Sequence, residues 1–87
     1  MKVLLYGILR SIAGRKEISS GASSIPQLLA ELADAFGKRM RAYLFEQDHI
    51  ESLTVVRNGK VMARSERAQV SLEEGDVVEL LSPIGGG

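Results

Sequence analysis

The sequence predicts an α+β domain, a mixed sheet of four or five strands with one main helix laid across it. Three observations carry that prediction: apolar strand-like runs near both ends, one strong helical periodicity between them, and an Asn-Gly dipeptide flanked by strand-forming residues. With 87 residues the chain has room for one domain. A chain of this size buries only roughly 60 to 65% of the surface it exposes when unfolded, so a single small core is the limit.

Lys2 to Ile8, rich in Val, Leu, Tyr and Ile, reads as a first strand buried on both faces. Arg15 to Ser20 is shorter and more polar, reached through Gly14 and closed by Gly21, and reads as an edge strand joined to the first as a hairpin. In "SSIPQLLAELADAFG" the residues Ile25, Leu28, Leu29, Leu32 and Phe36 recur at helical spacing and make one apolar stripe. Ser24 suits the N-cap, Pro26 is tolerated in the first turn, and Gly37 is the stop.

"KRMRAYLFEQDHIE" reads as a second, short helix with Met40, Tyr43 and Leu44 inward. Leu53 to Arg57, Asn58-Gly59 and Lys60 to Met62 form a two-residue hairpin, because both central positions of that turn need positive φ. Glu74-Gly75-Asp76 makes a further turn, Val77 to Leu81 a last apolar strand, and Pro83 ends it by denying the ladder a donor. This order fits the β-grasp roll, in which first and last strands pair in parallel at the sheet centre. Residues 1–82 are then the domain, and residues 83–87, "PIGGG", a flexible tail.

Composition excludes several functions. Hydrophobic residues make up 45% and charged ones 25%, ordinary globular usage that argues against disorder. Eleven basic residues balance eleven acidic ones, which removes the footprint of a nucleic-acid or anionic-membrane binder. Cysteine is absent, so disulfides, thiolate metal sites and cysteine nucleophiles are excluded, and a reducing cytoplasm is the expected location. The apolar start is interrupted by Arg10 and reads as a strand, not a leader.

Catalytic constellations are scarce. His49 is the single histidine, so a histidine-based metal site or multi-histidine base has little to build on, and Asp48, His49 and Glu51 read as a solvated loop. The glycines match neither a GxGxxG nor a P-loop pattern. Glu73-Glu74 reads as turn solvation, and two Phe, two Tyr and no Trp make a poor base-stacking platform.

The tail is what remains. Three consecutive glycines should be mobile, and their particular asset is slimness: an extended Gly-Gly strip can thread a channel too narrow for any Cβ. The α-carboxylate of Gly87 would be the reacting group, activated as an acyl-adenylate and then attacked by a sulfur or amine nucleophile. A frayed end or a linker stub is the plain alternative. Pro83 argues against it, because a linker needs no stiff Pro-Ile step between strand and glycines.

Taken together, these residues resemble the ubiquitin-like sulfur carriers, and within them the MoaD family, the small subunit of molybdopterin synthase. "VLLYGILRSIAGRKEI" resembles that family's apolar first strand, Leu-Arg step, Ala-Gly turn and short second strand. "SIPQLLAELADAFG" resembles its helix and "VVRNGKV" its Asn-Gly hairpin. "LEEGDVVELLSPIGGG" resembles its Leu-x-x-Gly-Asp-x-Val strand with a Pro-Pro-Val-x-Gly-Gly ending, although Ser82 stands in place of the first proline.

The Gly-Asp turn and terminal glycines are shared with the thiamin sulfur carriers of the ThiS family and with archaeal ubiquitin-like modifiers. The Leu-Arg-x-x-Ala-Gly region and the segment between helix and third strand favour the molybdopterin branch.

The resemblance implies a protein co-substrate with no active site and no cofactor of its own. An E1-like adenylyltransferase of the MoeB/ThiF type would adenylate Gly87 with ATP, and a sulfur donor would convert it to a thiocarboxylate. A large synthase subunit of the MoaE type would then pass the sulfur to cyclic pyranopterin monophosphate. Gly85 and Gly86 would thread the channel, and Pro83 and Ile84 would anchor its mouth. Nucleic acid and membrane are not expected partners. Three rivals stay open: a modifier joined through Gly87 to lysines, a thiamin-pathway carrier, and an interaction module working through its sheet surface.

Overall fold

The computed structural model describes residues 1–45 and 53–82. Five strands form one sheet in the order β2-β1-β5-β3-β4. They are β1 (Lys2–Tyr6), β2 (Glu17–Ser19), β3 (Thr54–Arg57), β4 (Lys60–Val61) and β5 (Val77–Leu81). The helices are α1 (Gly7–Ala13), α2 (Ile25–Phe36), α3 (Lys38–Phe45) and the short α4 (Arg64–Arg67). The first and last strands lie side by side at the centre and run parallel, with Lys2 opposite Val77 and Tyr6 opposite Leu81. The expected α+β roll is the fold observed.

The main helix forms as its sequence dictates. Ser24 Oγ accepts the Gln27 N–H at 3.2 Å, Pro26 sits in the first turn, and Gly37 ends the helix at φ 88°. Its stripe of Ile25, Leu28, Leu29 and Leu32 is buried against Val3, Leu5, Val55, Val78 and Leu80 of the sheet. Met40 and Leu44 of α3 and Leu9 of α1 join the same cluster, and Tyr43 packs at its margin. The Asn58-Gly59 turn has φ of 51° and 84°, the positive values that its hairpin requires.

Three expectations are corrected. β1 stops at Tyr6 instead of Ile8, because Gly7 adopts φ 59° and turns the chain into α1. The link from β1 to β2 is therefore a helix closed by Gly14 in the left-handed region, not a hairpin turn, although the two strands do pair antiparallel. β1 and β5 are also not buried on both faces. Val3, Leu5, Val78 and Leu80 point into the core, whereas Leu4, Tyr6, Val77, Glu79 and Leu81 point away, and no described element covers them.

The Gly-Asp turn holds β5 in place. Asp76, 6% exposed, accepts from the Glu73 N–H at 2.8 Å, from Asn58 Nδ2 at 2.9 Å and from Arg57 Nε at 2.9 Å. Asn58 Oδ1 in turn accepts the Val77 N–H at 2.9 Å, so the β3–β4 hairpin turn is tied to the start of the central strand. The Glu73 N–H, with the Asn58 amide and Arg57, holds the Asp76 carboxyl below its ordinary value of 3.8.

The unfolded chain then takes up this proton first. The stabilisation is complete above the ordinary aspartate pKa and is lost as pH falls below 3.8 through the depressed folded value. Acid unfolding followed by circular dichroism should lose part of this dependence in Asp76→Asn, which should be the less stable protein near neutrality.

Candidate functional site: the tail root and the open sheet face

The residues expected to do chemistry, Gly87 with Pro83, Ile84, Gly85 and Gly86, lie outside the described residues, as do Asp48, His49 and Glu51. What the structure places is their point of departure. β5 is a central strand, and its last residue, Leu81, is held between Tyr6 of β1 and Thr54 of β3. Ser82 follows immediately. The tail thus leaves from the most firmly paired position that a sheet offers, not from a fraying edge.

Beside that exit lies the face of the sheet that no described element covers. Register places Glu17, Leu4, Glu79, Val56 and Val61 in one cross-strand row, and Tyr6, Leu81 and Thr54 in the next, nearer the exit. Val61 is 68% exposed and Tyr6 38%, which leaves an apolar surface that water covers at a cost.

Glu17 bounds it at the edge strand and Glu79 interrupts it at the centre, where the Tyr6 hydroxyl donates to Glu79 Oε2 at 2.8 Å. That bond, with a smaller contribution from burial and from the carboxylate charge, raises the Tyr6 pKa and keeps the phenol protonated. Tyr6 and Glu79 therefore form a fixed polar point in an apolar field.

Sequence reasoning named the sheet surface only as the seat of a rival interaction module, because it read β1 as buried on both faces and β5 as an uninterrupted apolar strand. The signal was present in Glu79, a carboxylate in a central strand, and in the shortage of helix needed to cover two faces of five strands.

The described surface offers nothing that competes as a reaction centre. Among the described residues no three His, Cys, Asp or Glu side chains converge as a metal-ligand set. No helix among them is long and apolar enough to cross a membrane. Among the described residues the shifted pKa values, those of Tyr6, Arg67 and Asp76, belong to three separate places in the fold.

Comparison with known proteins agrees with this geometry. No curated protein matches the sequence. Among solved structures, the small archaeal modifier protein 1 from Methanosarcina acetivorans is similar with a TM-score of 0.81 at 24% identity, covering 99% of this chain and 94% of its own. CysO in the BexX/CysO complex of Amycolatopsis orientalis gives a TM-score of 0.77 at 17% identity, with 99% and 98% covered. In the complex of molybdopterin-converting factor subunits 1 and 2 from Helicobacter pylori, the matching chain gives 0.61 at 20% identity, with 99% and 96% covered.

At these identities the likeness speaks for the fold. The family follows from the sequence itself, because the ThiS family model matches residues 3–87, from the first strand through the last glycine. The chain belongs to the ThiS family of ubiquitin-like sulfur carriers.

Proposed function

We propose that this chain is the sulfur-carrying small subunit of a molybdopterin synthase, with the Gly87 carboxylate as the group that carries the sulfur. The observation that carries the proposal is the exit of the tail from a central strand beside an uncovered apolar face. Such a layout lets a partner grip the folded domain while the glycines alone enter its active site.

The chemistry has two steps before transfer. A carboxylate oxygen of Gly87 attacks the α-phosphorus of ATP on an E1-like adenylyltransferase, and pyrophosphate leaves. Sulfur at the oxidation level of hydrosulfide then attacks the acyl carbon, AMP leaves, and a thiocarboxylate remains. The large synthase subunit receives this tail, with Pro83 and Ile84 at the channel mouth and Gly85 and Gly86 inside it. Each tail passes one sulfur to cyclic pyranopterin monophosphate and returns as the carboxylate once water takes the sulfur's place on the acyl carbon. Two tails in turn supply the two sulfurs of the dithiolene of molybdopterin. ATP and pterin are bound by the partners, and this chain needs no cofactor.

A second reading takes as its ground the fold that the chain shares with the small archaeal modifier as well as with the molybdopterin-converting factor chain. Activation is the same in both. They divide at the nucleophile, which is sulfur for a carrier and a lysine amine for a modifier. Reconstitution with a MoaE-type subunit, cyclic pyranopterin monophosphate and the thiocarboxylated chain tests the proposal. Molybdopterin formation supports it, whereas no product together with lysine-linked conjugates in cells replaces it with the modifier.

A further inference from the structure

Helix α1 begins with a deficit that its own residues leave unfilled. The first N–H groups of a helix have no intrahelical acceptor, and Tyr6 at the N-cap makes no side-chain bond to them. The acceptor arrives from the far end of the chain: Ser82 Oγ accepts the Ile8 N–H at 3.0 Å across 74 positions of sequence. The same hydroxyl faces the Tyr6 carbonyl at 3.5 Å, the outer limit for a bond.

Gly7 is what permits the approach. A Cβ at that position would stand 2.5 Å from Ser82 Oγ, far inside van der Waals contact, and the φ of 59° there already disfavours any other residue.

We propose that Ser82 is a positioning residue for tail presentation: its hydroxyl latches the tail root to the first turn of α1, and Gly7 is kept free of a side chain to admit it. The inference rests on the tail being the working segment. Backbone pairing of β5 with β1 ends at Leu81 opposite Tyr6, and the latch extends the constraint one residue further. The chain beyond Ser82 then starts from a point fixed against α1 and next to the open face. A fixed starting point narrows the directions that the carboxylate must search before it meets an active site, so part of the ordering cost is met within the free protein.

Ser82→Ala removes the latch and leaves the backbone as it is; Ser82→Thr keeps a hydroxyl. Two readouts are taken on the full chain. Amide exchange at Ile8 should quicken about 3- to 10-fold in Ser82→Ala, the effect of losing one ordinary hydrogen bond, and Thr should restore it. Adenylate formation, followed by ATP–pyrophosphate exchange with an adenylyltransferase that accepts the wild-type chain, should lose a similar factor in kcat/KM. That loss should lie mainly in KM and be measured well below the unfolding midpoint. A merely structural serine would move the midpoint and leave kcat/KM untouched, which would overturn the positioning role.

Unchanged Ile8 exchange in Ser82→Ala would overturn the latch itself. A wild-type chain that no such enzyme adenylates overturns the proposed function and the positioning role with it, while Ile8 exchange still decides the latch. Gly7→Ala supplies an independent check. Its destabilisation should shrink in the Ser82→Ala background, where the clashing oxygen is gone and Ser82 Cβ lies at an ordinary 3.9 Å. Strict additivity would contradict the contact.

Discussion

Removal of Gly87 is expected to lower carboxylate activation by at least about 100-fold while leaving the unfolding midpoint unchanged. The shortened chain still ends in a glycine carboxylate, so the chemistry of the group is the same. What changes is reach, because one extended residue spans about 3.3 to 3.6 Å and the carboxylate then falls short of the α-phosphorus of ATP by that distance. Stability should not respond, since the core cluster is built from residues between Val3 and Leu80. Pyrophosphate exchange on the truncated chain, beside a denaturant titration, measures both halves. Full activity without Gly87 would mean that the carboxylate of Gly86 reaches the site as well, and that Gly87 is not required.

The second large effect belongs to the open face. Leu4→Arg is expected to weaken binding to the activating enzyme or the large subunit by at least about 30-fold, roughly 2 kcal/mol, the loss typical when a central apolar contact is removed. The folded domain should accept the change, because Leu4 lies between Glu17 and Glu79 in its cross-strand row and points away from the core. Calorimetric titration and thermal unfolding separate the two effects: affinity should collapse while the midpoint moves by no more than about 4 °C, the shift that 1 kcal/mol produces. Equal affinity would place the partner elsewhere on the surface.

How far the sequence reaches can be judged element by element. α2 was fully legible, because its stripe from Ile25 to Leu32, the Ser24 cap and the Gly37 stop all act within one stretch of chain. The Asn58-Gly59 hairpin was legible for the same reason. α1 was not, since an apolar run through Gly7 has the composition of a strand. Part of what holds the helix is also a hydroxyl 74 positions away. α4 buries no residue and is anchored by Glu66 accepting the Ala63 N–H at 2.9 Å, so it left no apolar period to find.

The candidate site divides along the same line. The glycines and their chemistry could be read directly, because glycine acts through what it lacks. The open face and the Ser82 latch could not, because both depend on which strands become neighbours. Val3, Leu4, Leu5 and Tyr6 look alike in sequence, and only the position of the helices decides which of them meet water.

The most direct test of Gly87 as a sulfur carrier is the intact mass of the chain after incubation with its E1-like adenylyltransferase, ATP and a sulfur donor. Exchange of one carboxylate oxygen for sulfur, located at Gly87 by fragmentation, is the expected result. An unchanged mass with an enzyme shown to adenylate the chain would contradict it.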